Sequence, residues 1–215
     1  MKVSKILILL ISFIFCHLSF AQDSKYPKGV YLSFKEIVNK SPSLPIELEI
    51  NKRTKGEIKM NGGNDYKLYK PDKSISRKRI KKEFFGYSNG DTLYINCFHY
   101  KVQPWYASII SDGKFLVIKG GLSMVPETRN FQLKNKAQLG IMFGAIGGAI
   151  QGAKLAMLRF VYTIDKETND IRTVSSDYLK GLLYNNSELL KQFKMEKEPN
   201  AQEVFIKYLK LLNEQ

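Results

Sequence analysis

A chain of 215 residues with 44% hydrophobic and 25% charged residues has the composition of a globular protein, which excludes disorder as the default. It is long enough for one compact domain or two small ones. The 34 lysines and arginines against 20 acids give a formal charge of +14, which favours anionic partners such as lipid head groups, acidic glycans or nucleic acid. A solvated, solubilising surface is the alternative meaning of that charge.

The first 21 residues, MKVSKILILLISFIFCHLSFA, have the layout of a secretory signal. Lys2 and Lys5 form a charged start, Ile6 to Phe15 an apolar run, and Ser19 and Ala21 the small positions of a cleavage site. The run is too short for an ordinary membrane span. Cleavage after Ala21 would leave Gln22 first and place the protein in the periplasm or outer envelope. Cys16 raises lipid attachment as an alternative, and bulky Phe15 beside it argues against that. Removal of Lys2 and Lys5 leaves 32 basic against 20 acidic residues, or +12. Cys97 is then the one remaining cysteine, so the fold must stand on its core without an internal disulfide.

Next in the chain, Ser33 and Glu36 have capping-box spacing and predict a short helix from Phe34 to about Asn39, stopping before Pro42. In IELEINKRT, 46–54, Ile46, Leu48 and Ile50 face one way, as on a half-buried strand. KGEIKMNGGND has the look of a loop. SISRKRIKKEFF, 74–85, concentrates Arg77, Lys78, Arg79, Lys81 and Lys82. A nuclear import signal is inconsistent with a secretory leader, and no nucleic acid is expected. Two meanings remain: a solvated strand edge protected by charge, or an anchor on anionic envelope lipid or glycan.

Between 83 and 122, Asn89-Gly90 and Asp112-Gly113 each separate strand-like runs. Such dipeptides favour hairpin turns with positive φ at both central residues, and predict a meander of about four antiparallel strands. Tyr94, Phe98, Tyr100, Trp105 and Tyr106 make it aromatic, as core and cross-strand pairs or as a stacking platform. RFVYTID and residues 171–174 flank KETND as a second hairpin. The tail is helical: DYLKGLLY after Ser176, SELLKQFK from Ser187, and AQEVFIKYLKLLNEQ capped by Asn200. Val204, Tyr208, Leu211 and Leu212 form a stripe that should dock on something.

GVYLSFKEIVNKSPS, FFGYSNGDTLYIN, GAIGGAIQGA and RFVYTIDKETNDI, in that order and followed by a helical tail, resemble an uncharacterised family of exported proteins from Bacteroidota-type bacteria. The resemblance covers most of the mature chain and implies an envelope setting. It supplies no catalytic residue. Asn169 stands where such strand–turn–strand units favour glycine, and Asn tolerates the same left-handed conformation.

Chemistry-bearing groups are sparse. On a strand Cys97 and His99 would share a face, with no identified third group to orient a base. Leu93 and Ile95 on that face make Cys97 a buried hydrophobe. An enzyme reading would be a hydrolase using His99 and a nearby carboxylate; otherwise no catalytic residue, metal ligand or cofactor is assigned. Asp91-Thr92-Leu93 resembles a short O-glycan acceptor, and Asn185-Asn186-Ser187 is better taken as a helix boundary than as an N-glycan site.

Gly140, Gly144, Gly148 and Gly152, with Gly147 beside them, form a row at helical spacing. Each glycine costs about 0.8–1 kcal/mol in a helix interior, so close packing is expected in return. Three placements are open: a helix packed on the sheet, a membrane-inserted or self-associating helix, or a glycine-rich loop. The apolar run Leu139 to Ile150 falls short of the roughly 20 residues of a span. The whole is expected to be an α+β protein: a signal peptide, 1–21; a β-rich region with a short helix, 22–136; a small-residue, glycine-zipper-like helix, 137–158; and a β hairpin with a helical tail, 159–215. The last three are taken to pack as one domain. The favoured function is a non-enzymatic binding or assembly protein that uses the basic surface and the glycine groove.

Overall fold

The computed structural model describes residues 26–138 and 148–215. The expected signal peptide lies outside the described residues, as do Gly140, Gly144 and Gly147. The fold is α+β, and all strand pairings are antiparallel.

The elements follow in chain order. β1 (Gly29–Tyr31) leads to α1 (Phe34–Val38), capped by Ser33 as its spacing predicts. β2 (Glu49–Lys52) and β3 (Tyr66–Tyr69) form a hairpin around α2 (Lys55–Asn61). The loop expected over KGEIKMNGGND is therefore corrected. Thr54 and Glu57 make a complete capping box, which satisfies the first amides of α2 and lets it form. α3 (Arg77–Lys82) precedes β4 (Gly86–Ser88) and β5 (Leu93–Asn96). A 3-10 helix (Cys97–Tyr100) leads to β6 (Tyr106–Asp112) and β7 (Phe115–Gly120). α4 (Pro126–Gln138) was hidden in the sequence. Its opening signals, Pro126 and Glu127, are those of a first helical turn. α5 (Gly148–Met157) precedes the β8 (Phe160–Asp165) and β9 (Ile171–Thr173) hairpin. The tail is α6 (Ser176–Leu182), α7 (Ser187–Lys194) and α8 (Gln202–Asn213).

The sheet runs β1-β4-β5-β6-β7-β8-β9, with β2–β3 joined to β6 at Tyr66↔Tyr106. The expected meander is β4 to β7. Its turns differ from the expected type. Gly90 alone takes positive φ at 89–90, because Asn89 accepts bonds from the Asp91 and Thr92 amides and closes an Asx turn instead. Gly113 is glycine for another reason. A Cβ there would lie 2.5 Å from Asn213, whose amide grips the same hairpin through Ser111 and both polar backbone atoms of Phe115.

Strand alternation builds three clusters. Leu93, Ile95, Ala107, Leu116, Ile118, Tyr162 and Ile164 face an inner core shared with Tyr31 and Cys97. On the opposite face, Val117 and Val161 meet the tail helices through Leu179, Phe193, Phe205, Tyr208 and Leu209. This is where the expected stripe docks. Tyr87, Tyr94 and Tyr106 point into a third cluster, covered by Leu48, Leu68 and Ile80. Alternation along β6 puts Ile109 in the first cluster and Ile110 in the second, and the register with β7 shifts between Ile109 and Ser111. The aromatic residues Tyr94, Tyr100 and Tyr106 are thus core. The tail cap is also corrected: Ala201, not Asn200, is the N-cap of α8 and makes no side-chain cap bond.

Candidate anion-binding face

The strand edge expected at residues 74–85 is a helix. Ser76 caps α3, its hydroxyl accepting from the Arg79 amide at 3.2 Å. Lys and Arg are good helix formers, and Ile80 alone needs to turn inward, where it is buried. Arg77, Lys78, Arg79 and Lys82 stand exposed. Lys81 is half-buried, its ammonium 5.4 Å over the Phe98 ring. Arg79 pairs with Glu83 at 3.0 Å. The other four cations make no ion pair among the described residues.

This helix is poorly stable by itself. It is six residues long, far below what persists alone in water. Arg77/Lys81 and Lys78/Lys82 are like-charge pairs at i,i+4, each unfavourable by roughly 0.2–0.5 kcal/mol. Its hold comes from buried groups on other elements. Tyr106 donates its hydroxyl to the Ile80 carbonyl at 2.7 Å. Asn96, fully buried, donates its amide to the carbonyls of Lys81 at 2.8 Å and Phe84 at 2.7 Å. Its Oδ1 accepts from the Phe98 amide and so caps the 3-10 helix as well. One side chain therefore joins the C-terminal end of α3 to the turn carrying Phe98 and His99.

The shared strand face expected for Cys97 and His99 is corrected, because the chain leaves the extended conformation at Cys97. Cys97 is buried in the inner core as expected, and burial pushes its thiol up to about 12. His99 stacks on Phe85, with ring centroids 4.7 Å apart, and its Nε2 lies 3.2 Å from the Phe84 carbonyl. A carbonyl only accepts, so Nε2 carries the proton. Burial lowers the imidazole pKa, and the bond to Phe84 opposes that in part. Among the described residues no carboxylate hydrogen-bonds His99.

The structure thus brings the basic run and His99 together on one face, with the half-buried rings of Phe98, Phe85 and Phe34 beside them. Such a face can exchange water and counterions for an extended anion. Asn96 and Tyr106, which position it, were not singled out as site residues. An Asn ending a strand before a tight turn is the one local signal for Asn96.

The glycine row stands apart, on α5. Gly148 begins that helix and Gly152 lies within it; Gly140 and Gly144 fall outside the described residues. The close packing expected in return for these glycines is absent at Gly152, where an added Cβ would meet nothing within 4 Å. No helix among the described residues is long and apolar enough to cross a membrane. Among the described residues no three His, Cys, Asp or Glu side chains gather as a metal site. Asn186 is the N-cap of α7, which is the helix boundary expected there.

One family model, described as a family of unknown function (DUF6563), matches residues 29–215. No curated protein and no solved structure matches the chain.

Proposed function

The chain belongs to the DUF6563 family of unknown function, and for this member we propose a non-enzymatic role: binding an anionic lipid surface of the cell envelope through α3 and the adjoining 3-10 helix. The signal-like first 21 residues and the resemblance to exported Bacteroidota-type proteins support the envelope setting. One observation carries the binding role. Arg77, Lys78, Lys81 and Lys82 stand on one short helix, without an ion pair among the described residues, and that helix is held by Asn96 and Tyr106 bonds to backbone carbonyls. A solvated face needs no such anchoring against its own repulsion.

The test is co-sedimentation with vesicles of phosphatidylglycerol mixed into phosphatidylcholine. The protein pellets with the anionic vesicles, is released by high salt, and stays in solution with Lys78→Glu/Lys82→Glu. Equal pelleting with pure phosphatidylcholine, or with the double variant, refutes the assignment. Release of bound protein by a soluble acidic polysaccharide at equal charge, with weaker binding to vesicles, makes glycan the partner instead.

A further inference from the structure

A concavity whose lining shares no residue with the basic helix lies between α2, α5 and residues 122–124. Its volume is about 890 Å³, towards the upper end of ligand clefts. Met60 and Met124 flank it, 84% and 46% exposed. Methionine is the apolar side chain that best adapts to a flexible partner. Leu155 and Gly152 supply the α5 wall.

The charges in this cleft have one sign. Among the described residues Lys59 and Arg129 are the charged groups that line it, no carboxylate lines it, and neither cation makes an ion pair. Its two helical walls are fixed relative to each other. Arg159, just past α5, donates to the Asp65 carboxylate at 2.7 and 2.9 Å, to the Gly63 carbonyl beyond α2, and to the Ala156 carbonyl of α5 itself. The cleft is therefore preformed. The glycine at 152 keeps it open, since a side chain there would project into empty space.

We propose that this cleft binds a single-chain fatty acid, with its carboxylate held by Lys59 and Arg129 and its acyl chain laid along Met60, Met124, Leu155 and the open face of Gly152. An apolar wall with two unpaired cations matches an anionic amphiphile in both respects. A second copy of this chain fits less well, because it would bring the same uncompensated positive charge against itself.

The experiment is displacement of a dansyl-labelled undecanoic acid from the protein by oleate, below the micelle concentration and without vesicles. Oleate displaces the probe, and oleyl alcohol does so more weakly. Gly152→Leu weakens oleate binding by about tenfold while the melting temperature holds, because the new side chain fills only the cleft. Lys59→Glu/Arg129→Glu weakens oleate and leaves oleyl alcohol unchanged. The Lys78→Glu/Lys82→Glu variant binds oleate as the wild type does, so this result stands or falls apart from vesicle binding. No displacement by oleate, or unchanged binding in Gly152→Leu and in the charge-reversed pair, overturns the proposal. So does a wild-type dimer that Gly152→Leu converts to monomer with probe binding intact, which would make a second copy the occupant.

Discussion

Tyr100 donates a 2.6 Å hydrogen bond to the Oδ1 of Asn169, tying the 3-10 helix to the β8–β9 turn. Asn169 has φ of 62°, in the left-handed region. Glycine would satisfy that backbone, and the Tyr100 hydroxyl explains why asparagine is there. Burial also pushes the Tyr100 pKa up, so the hydroxyl stays protonated and donates. Asn169→Gly should destabilise the protein by about 1–3 kcal/mol, the cost of orphaning a buried hydroxyl. Tyr100→Phe in the same chain should recover part of that. Urea unfolding of the two single variants and the double measures the coupling; strict additivity would show that the bond contributes nothing.

Lys78→Glu places an acid four residues before Lys82, turning repulsion into the favourable orientation of an i,i+4 pair. The helix should gain roughly 0.3–0.5 kcal/mol while vesicle binding weakens. Thermal melts beside co-sedimentation check this. A fall in stability would mean that the charges serve the fold rather than a partner.

Asn96→Ala removes three hydrogen bonds at once and leaves the Phe98 amide and the Lys81 carbonyl without that partner. A loss of about 2–4 kcal/mol is expected from orphaned buried groups. Hydrogen exchange should show protection lost first in α3 and the 3-10 helix. Uniform loss across the sheet would place Asn96 in the general core instead of at a local hinge between the two.

The order of strands and helices was legible because it rests on local signals. Ser33 and Ser187 mark helix starts, and Asn89-Gly90 and Asp112-Gly113 mark turns. The cluster at Arg77–Lys82 was legible as charge but not as helix. Ser76 is an ordinary cap residue, and the bonds that hold the helix come from Asn96 and Tyr106, which lie 15 and 26 residues from the carbonyls of Lys81 and Ile80. Periodicity cannot see such partners. For Cys97 and His99 the strand period runs three residues past Asn96, where the strand ends, since nothing local announces that Lys101 closes a 3-10 helix in the left-handed conformation. Thr54 and Glu57 are the opposite case: their capping-box spacing is a local signal for a helix over the stretch expected to be a loop.

The pH response follows from His99. Its folded pKa lies below the ordinary 6.5 because burial disfavours the imidazolium. The unfolded chain therefore binds the proton more readily. The contribution to stability is complete above about pH 6.5 and is lost as pH falls through the folded value. As pH falls below about 6.5 the wild type should lose stability more steeply than His99→Gln, as read from urea midpoints. Parallel profiles would assign acid sensitivity to other groups.

Cys97 is fully buried, and its thiol is pushed up to about 12. A thiol reagent at neutral pH should modify it only as fast as the protein opens. Labelling should therefore speed up with urea in step with unfolding. Rapid labelling without denaturant would place the thiol at an accessible surface.

The grip of Asn213 on the β6–β7 hairpin has a consequence for the order of folding. Its amide bonds reach Phe115, 98 residues earlier, and Ser111, 102 residues earlier. A chain made from its N-terminus finishes that hairpin long before its clasp exists. The central strands must then wait, with the face bearing Val117 uncovered, until α8 arrives. Closing so long a loop carries an entropic delay, and that face stays bare for the same interval. Such an interval is when a chaperone that holds apolar strands would find this protein, and shortening the tail before residue 213 would make the wait permanent.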